Sequence, residues 1–469
     1  MYFKDKSTEK VGSLYLLIVF FFTFVGNNAV SGMTCHRKYK YFASFGVALL
    51  LVSCGTQRRV VTSSVPDDMP QQVVALTTMT PQPVVQVAPI VEAPVVQQRE
   101  VTWEERKQHG LDSLCSQQLF QTSQLGMYVY DLTEGRPLYT LNTTQRMRPA
   151  SCQKLITSVS AYFYLGSAFQ FTTQLCIAGR VSGGVLTGDV YVVGSMDPLL
   201  SRADVKQLAA ALRSEGISRV SGRLYVDLSM KDDLGYGWGW SWDDDYGPLS
   251  ALMVDCKDQF ASLWVAELGR AGIQLQNKSV QTKTYNGTGR AVAAVAHSID
   301  EVMIPMLKKS ENIFAECVFY QIAACGGQKA ASRKHAQTKI NSLITQLGLP
   351  ADLYTVADGS GLSPYNYVTP ELLVAILNYA YSQPGIFERL YADLPIAGVD
   401  GTLEKRMLDT RAAGNVHAKT GTVTGVSSLA GYLTASNGHL LSFCILNQGV
   451  SQSALGRAFQ DQVCTYLCN

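Results

Sequence analysis

Residues 149–154 read Pro-Ala-Ser-Cys-Gln-Lys and lead into an apolar helical pattern that runs to Phe163. Because residues three apart share one face of a helix, Ser151 and Lys154 would lie side by side at its start. A serine hydroxyl is a poor nucleophile until a base removes its proton. A lysine in a dry pocket near a second positive charge can be that base, because its pKa falls towards neutrality. This stretch therefore predicts a serine nucleophile and a lysine base on one helix.

A second short motif, Ser310-Glu311-Asn312, precedes another apolar helical segment. On one helical turn, a hydroxyl and an amide would point into the same cleft. Ser310 suits the relay of a proton to a leaving amine, and Asn312 suits a hydrogen bond to the peptide group of the acyl portion. The ordinary alternative is that Ser310 is a helix N-cap, a role that serine favours.

A third motif, Lys419-Thr420-Gly421, falls on a predicted strand and is followed by Thr422. Lys419 and Thr420 could hold a substrate carboxylate, and Gly421 would allow a substrate backbone to lie close. The backbone N–H groups of Thr422 and Ser151 are expected to form an oxyanion hole. The alternative is a strand lysine followed by a tight bend.

None of the three motifs is specific by itself. A second S-x-x-K occurs at residues 7–10, where a chance match is the simplest explanation. Cys152 could be a nucleophile, but Ser151 holds the motif position. The order of the three motifs along the chain, and their predicted places on a helix, a turn and a strand, carry the functional hypothesis.

The N-terminal region resembles an export signal. A basic segment at residues 36–40 precedes an apolar stretch, Phe42 to Val52, which ends in Leu-Val-Ser-Cys at residues 51–54. This ending resembles the bacterial lipobox, after which Cys54 would become lipidated. Met33 is the expected true start, so residues 1–53 are interpreted as a spurious extension plus a lipoprotein signal peptide. A transmembrane anchor is the alternative, although the stretch is shorter than the roughly 20 residues that a span needs.

Composition limits the remaining possibilities. Residues 54–100 are rich in Val, Pro and Gln and are interpreted as a lipidated cysteine and an extended tether. The 469-residue chain has a net charge of +2 without a long basic run, so a nucleic-acid partner is not expected. No Cys/His cluster indicates a metal, and no cofactor is predicted. Of eleven cysteines, Cys176, Cys317 and Cys444 lie in apolar runs and are expected to be buried.

The pattern of elements predicts an α/β (α+β) fold. Strands near both ends of the folded part would form one antiparallel sheet covered by helices, with a helical subdomain in the middle of the chain. The predicted catalytic domain comprises residues 101–175 and 291–469. Glycine-punctuated short strands at residues 176–290 are interpreted as an inserted, mostly-β domain.

With these motifs, the chain resembles the low-molecular-mass class C penicillin-binding proteins, which are D-alanyl-D-alanine carboxypeptidase/endopeptidases of the penicillin-binding-protein-four type. Further stretches typical of that family are Gly188–Tyr191, Gly194–Pro198, Gly237–Asp244, Ser250–Leu252, Asp358–Ser363 and Asp400–Leu403. The resemblance implies a β-lactamase/transpeptidase-like fold with an insert between the first two motifs. It also implies a Ser151 acyl-enzyme on peptidoglycan stem peptides and covalent inhibition by β-lactams. The lipobox-like signal at Cys54 and the tether predict a periplasmic location on a lipid anchor, in the outer membrane.

The chain departs from the family pattern at three positions and in one length. Met196 stands where glycine is usual, Glu311 where aspartate is common, and Pro364 where an arginine is usual. Residues 155–309 separate the first two motifs, which is fewer than the family usually has, so the insert is expected to be reduced. Two alternative functions stay open: a β-lactamase or esterase that uses the same three motifs, and a catalytically weak lipoprotein that binds cell wall or senses penicillin.

Overall fold

A computed structural model describes residues 99–241, 244 and 247–469. The strands are β1 (Gln124–Asp131), β2 (Arg136–Leu141), β3 (Gln170–Ser182), β4 (Val185–Val193), β5 (Arg219–Val220), β6 (Leu224–Asp227), β7 (Gln274–Leu275), β8 (Val280–Thr282), β9 (Arg290–Ser298), β10 (His417–Val423), β11 (Val426–Thr434) and β12 (Leu440–Gln448). The helices are α1 (Trp103–Cys115), α2 (Gln153–Leu165), α3 (Arg202–Ser214), α4 (Phe260–Arg270), α5 (Ile299–Lys308), α6 (Asn312–Ala324), α7 (Arg333–Gln346), α8 (Pro370–Ser382), α9 (Pro384–Asp393) and α10 (Ser453–Cys468).

Strands from both ends of the described chain form one antiparallel sheet in the order β10-β11-β12-β1-β2. Successive side chains of a strand point to opposite faces, and in β11 both faces are buried. Ala430 and Tyr432 pack into a core with α2 and α8, whereas Leu429 and Leu433 pack into a core with α1 and α10. The predicted antiparallel sheet covered by helices is therefore confirmed.

A second sheet occupies the middle of the chain, in the order β7-β5-β4-β3-β9, with β6 paired to β4 and β8. Helices α3 and α4 cover one of its faces, where Leu208 and Trp264 are fully buried. The pairing of β3 with β9 extends from Gln170 to Ser298, so this sheet extends beyond the predicted insert of 176–290 at both ends. The spacing of glycines along the sequence did not indicate where this sheet begins and ends, because its two ends lie within the continuous paired strands β3 and β9. The described residues belong to one compact unit, Pro94–Asn469, and the division into domains stays a prediction.

Helices α5, α6 and α7 follow the second sheet and pack in the same core as α2 and α8. Local sequence sets where several helices begin: α5 starts after Ser298, whose hydroxyl accepts from the Glu301 amide while the Glu301 carboxylate accepts from the Ser298 amide. Cys176, Cys317 and Cys444 are buried as expected. Within the described ranges, no helix has both the length and the apolar character needed to cross a membrane. Cys54 and the tether lie outside the described residues.

Candidate active site

The predicted nucleophile lies in a short 3-10 turn, Ala150–Cys152, that runs directly into α2. Ala150 has a φ of +46°, which L residues rarely adopt. The turn is fixed from both sides: Ser428 Oγ donates to Pro149 O at 2.6 Å, and a Cβ on Gly361 would meet Ala150 O at 1.9 Å. The tight contact at Gly361 explains why a glycine is needed there. The surroundings therefore hold the Ser151 turn in one conformation.

Lys154 is fully buried and reaches three oxygen atoms. Its Nζ lies 3.0 Å from Ser151 Oγ, 2.6 Å from Asn312 Oδ1 and 2.8 Å from Ser360 O. Burial lowers the pKa of Lys154 well below its ordinary value, and the positive charge of Lys419 lowers it further. The structure thus brings Ser151, Lys154 and Asn312 together, in surroundings that favour the neutral form of the Lys154 amine.

Lys419 is also fully buried and lies across the cleft from Lys154's helix, on β10. Its Nζ donates to Ser310 Oγ at 2.9 Å and to Thr420 O at 2.8 Å. Burial lowers the pKa of Lys419 to about 8. Ser310 and Lys419 therefore form a second hydroxyl–amine pair beside the first.

The placement of Ser310 differs from both readings of the sequence. Helix α6 begins at Asn312, and its N-cap is Glu311, whose side chain makes no capping hydrogen bond. Ser310 precedes the helix with a φ of +64°, so it is neither on the helical turn nor an N-cap. Its hydroxyl reaches Lys419 instead of the first amides of the helix. The left-handed backbone conformation of Ser310 explains this placement, and the sequence of the motif does not predict that conformation.

Gly421 has a packing role that was not foreseen. A Cβ at this position would lie 2.2 Å from Ser428 Oγ, 2.7 Å from Pro149 O and 2.9 Å from Ser151 N. The glycine therefore lets β10 approach the enzyme's own nucleophile turn, whatever it does for the substrate. Thr422 follows as an exposed strand residue, and Thr420 Oγ1 donates to Thr402 Oγ1 at 2.7 Å. The oxyanion role of the Thr422 and Ser151 amides stays a prediction.

Cys152 is placed away from the reacting atoms. It is fully buried, and its Sγ donates to Lys419 O at 3.2 Å. Burial raises the pKa of this thiol, so the reactive thiolate is disfavoured. The geometry favours Ser151 over Cys152 as the nucleophile.

A buried support behind Lys154 was missed in the sequence. Glu316 accepts hydrogen bonds from Gly359 N at 3.1 Å and Ser360 N at 2.9 Å, and the same loop presents Ser360 O to Lys154. Burial and the nearby Asp358 carboxylate raise the pKa of Glu316 to about 8. The detectable signal was spacing: Glu316 follows Asn312 by four residues and so shares its helix face.

Asp358 organises the rest of this loop. Its carboxylate accepts from the amides of Gly361 and Ser363, at 2.8 and 2.7 Å, and from Trp240 Nε1 at 3.0 Å. Asn366 Nδ2 donates to the same carboxylate at 2.7 Å. This loop, one of the stretches typical of the family, presents the Ser360 carbonyl to Lys154.

A cavity of about 450 Å³ is lined in part by Ala150, the neighbour of Ser151. Its lining includes Arg148, Ala150, Asp244, Pro364 and Val423. Pro364, one of the departures from the family pattern, therefore borders the same cavity as Ala150. Among the residues that the structure describes, no group of three or more His, Cys, Asp or Glu side chains is placed to hold a metal ion.

Comparison with known proteins identifies similar chains. The model of the D-Ala-D-Ala carboxypeptidase 3 (S13) family matches residues 107–260 and 248–468. D-alanyl-D-alanine carboxypeptidase DacB of Haemophilus influenzae is 26% identical over 424 residues, covering 72% of this chain and 88% of the relative. D-alanyl-D-alanine carboxypeptidase of Actinomadura sp. is 27% identical over 455 residues, covering 76% and 83%.

A solved structure also resembles this fold. It is the crystal structure of penicillin binding protein 4 from Haemophilus influenzae, which is 25% identical with a TM-score of 0.69, over 76% of this chain and 98% of that one. The same protein complexed with a β-lactam matches with a TM-score of 0.64 at 25% identity, over the same shares.

Proposed function

The chain belongs to the D-Ala-D-Ala carboxypeptidase 3 (S13) family, and we propose that Ser151 is the residue that forms its acyl-enzyme with peptidoglycan stem peptides. As a member, the chain is a serine D-Ala-D-Ala carboxypeptidase. One observation carries the residue assignment: the fully buried Lys154 Nζ lies 3.0 Å from Ser151 Oγ. This is the geometry that a nucleophile and its general base require.

The hydrogen bonds of Lys154 suit it to accept a proton. A neutral amine has two N–H bonds and one lone pair, and two acceptors, Asn312 Oδ1 and Ser360 O, lie within 2.8 Å. With its two hydrogens directed there, the lone pair points to Ser151 Oγ. Lys154 then takes the hydroxyl proton while Ser151 Oγ bonds to the carbonyl carbon of the penultimate D-alanine.

The Ser310–Lys419 pair supplies the proton that the leaving group needs. When the tetrahedral intermediate collapses, the C–N bond breaks and the departing amine of D-alanine needs a proton. Ser310 can donate its hydroxyl proton and recover one from Lys419, 2.9 Å away. Because the pKa of Lys419 is about 8, this residue is mostly charged at pH 7 and able to donate. Lys154 then loses the proton it took from Ser151, and Lys419 regains one from solvent. Water attacks the ester with the neutral Lys154 as base, and that proton passes to Ser151 Oγ as the ester C–O bond breaks, which releases the shortened peptide and free Ser151.

The same chemistry extends to cross-links, in which another stem's amine takes the place of terminal D-alanine. Mass spectrometry of purified muropeptides after incubation separates the two activities. Loss of one alanine indicates carboxypeptidase activity, and conversion of dimers to monomers indicates endopeptidase activity. Ser151→Ala, which removes only the hydroxyl, is the matched control and should leave every muropeptide unchanged.

Two other outcomes would favour other functions. Fast multiple turnover of penicillin with unchanged muropeptides would favour a β-lactamase. Stable penicillin labelling with unchanged muropeptides would favour a penicillin-sensing lipoprotein.

The proposed location is the periplasmic side of a membrane, through a lipid on Cys54. The support is the sequence alone: a basic segment, an apolar stretch and Leu-Val-Ser-Cys at residues 51–54. Metabolic labelling with a radioactive fatty acid should mark the wild-type protein and leave Cys54→Ala unlabelled. Equal labelling of both proteins would exclude Cys54 as the anchor, and fractionation of the labelled protein would show which membrane holds it.

A further inference from the structure

An exposed pair of aromatic rings lies next to residues that line the cavity at Ala150. Trp238 and Tyr365 are 45% and 46% exposed, and their ring centroids are 4.8 Å apart. Each is the chain neighbour of a residue that lines the cavity, Gly239 and Pro364. The two segments that carry the rings therefore line a cavity that Ala150, the neighbour of Ser151, also lines.

Contacts from other parts of the chain hold the pair in place. Ser363 Oγ donates to Trp238 O at 2.7 Å, and the guanidinium carbon of Arg333, on α7, lies 4.5 Å from the Trp238 ring. Gly239 has a φ of +82° and packs so closely on Tyr365 that a Cβ would meet its ring at 2.6 Å. Rings fixed before a ligand arrives lose little conformational entropy on binding.

We propose that Trp238 and Tyr365 bind the glycan strand from which the substrate's stem peptide branches. This choice of ligand rests on the proposed function. Pyranose rings present C–H faces that stack on aromatic rings, while their hydroxyl and acetamido groups accept hydrogen bonds from groups such as the Arg333 guanidinium. Trp and Tyr combine an apolar face with a polar edge, which suits such a ligand.

The length of the substrate supports this occupant. Four residues separate the cleaved bond from the sugar, and an extended chain spans about 3.5 Å per residue. The glycan must then pass within roughly 15 Å of Ser151 when the stem is bound. Gly239 and Pro364, the chain neighbours of the aromatic pair, line the same cavity as Ala150, the neighbour of Ser151.

A second copy of the chain is a poorer occupant. A stable dimer buries about 800 Å² on each partner, far more than two half-exposed rings provide. The pair is sized for one or two sugar rings, and the glycan strand is the ligand that the site's own substrate brings to it.

The test uses the full-length protein with Trp238→Ala and Tyr365→Ala variants. The matched control is Tyr381→Ala, which removes an aromatic ring of similar exposure (38%) on α8. Isothermal titration with glycan strands stripped of their peptides should show binding by wild type and Tyr381→Ala. Binding should weaken at least about tenfold in the other two variants.

Hydrolysis provides the second readout. Release of D-alanine from a free pentapeptide, and acylation by penicillin, should be equal in all four proteins. On glycan chains carrying the same pentapeptide, kcat/KM should fall about tenfold in Trp238→Ala and Tyr365→Ala.

Absence of wild-type binding to stripped strands, or equal binding by all four proteins, would overturn the inference. A wild-type dimer that Trp238→Ala converts to monomer would also overturn it, in favour of self-association. If wild type binds strands but hydrolyses neither substrate, the proposed function fails while the glycan site stands.

Discussion

Ser310 Oγ accepts a hydrogen bond from Lys419 Nζ at 2.9 Å, and the Ser310 backbone has a φ of +64°. A left-handed conformation costs an L residue about 1–3 kcal/mol and persists only where the surroundings impose it. Glycine would fill this turn without that cost. The presence of a serine at position 310 is therefore better explained by its hydroxyl than by the conformation of the turn. The residue that carries the backbone strain is also the one proposed to protonate the leaving group.

Two substitutions at this position separate strain from chemistry. Ser310→Gly removes both the hydroxyl and the strain, whereas Ser310→Ala removes only the hydroxyl. We expect both to lower kcat/KM for a D-Ala-D-Ala peptide about 100-fold, because proton transfer to the amine is lost. Thermal unfolding should show Ser310→Gly to be more stable than Ser310→Ala. An active Ser310→Gly enzyme would show that the hydroxyl is dispensable.

The charge of Lys419 should be visible in the pH dependence of acylation. Lys154 acts as a base only when neutral, so the acylation rate falls as the pH drops through its pKa. Lys419 lowers that pKa through its positive charge. In Lys419→Met the acid limb of the rate profile should therefore move to higher pH, whatever the loss in maximal rate. Stopped-flow acylation with a chromogenic β-lactam measures the limb, and an unmoved or lowered limb contradicts the account.

Activity should tolerate the loss of the Glu316 charge but not the loss of its hydrogen-bond acceptor. Its pKa of about 8 makes it mostly neutral at pH 7, and glutamine is neutral with a similar shape. Glu316→Gln should keep kcat/KM at pH 7 within about threefold. Glu316→Ala leaves the Gly359 and Ser360 amides without this acceptor, so the Ser360 carbonyl shifts from Lys154 and activity falls at least about tenfold. Equal activity of Glu316→Gln and Glu316→Ala would remove this positioning role.

The pH dependence of stability provides the control for Glu316. The folded-state pKa is raised above the unfolded value near 4.5, so the unfolded chain loses this proton first. Wild-type stability should decline relative to Glu316→Gln as the pH rises from about 4.5 to about 8, and the difference should then level off. Denaturant unfolding of both proteins at several pH values measures this difference in stability. A difference that does not change with pH would show that the pKa of the Glu316 carboxyl is not raised.

Met196 tests how this chain accommodates a residue where its family usually has glycine. Met196 is fully buried with a φ of +52°. Met196→Gly relieves about 1–2 kcal/mol of backbone strain but removes a core side chain worth about 2–5 kcal/mol, so a net loss of about 0–4 kcal/mol is expected. Met196→Ala loses the side chain and keeps the strain, so it should unfold at a lower Tm than Met196→Gly. The reverse order would mean that the turn is not strained.

Much of the fold was accessible to sequence reasoning. Strands were predicted near both ends of the folded part, and two of them, β11 and β12, are central strands with both faces buried. Pro149 and the apolar spacing after it indicated α2. These signals are local, because strand period, helix period and turn chemistry depend on neighbouring residues.

The contacts that complete the site were not accessible in the same way. Ser360 O reaches Lys154 from more than two hundred positions along the chain, through a backbone carbonyl that carries no sequence signature. Gly421 was interpreted through the substrate, whereas its close neighbours are Ser428 and the Ser151 turn. Such contacts depend on how distant segments pack, which periodicity does not record.

The most direct test of the central claim is the site of covalent attachment of a fluorescent penicillin. Intact-mass and peptide mass spectrometry of the labelled protein should place one adduct on Ser151. Ser151→Ala should give no adduct, and Lys154→Met, folded by circular dichroism, should acylate too slowly to detect. Normal labelling of folded Ser151→Ala, or unchanged acylation kinetics in Lys154→Met, would contradict the assignment of nucleophile or base.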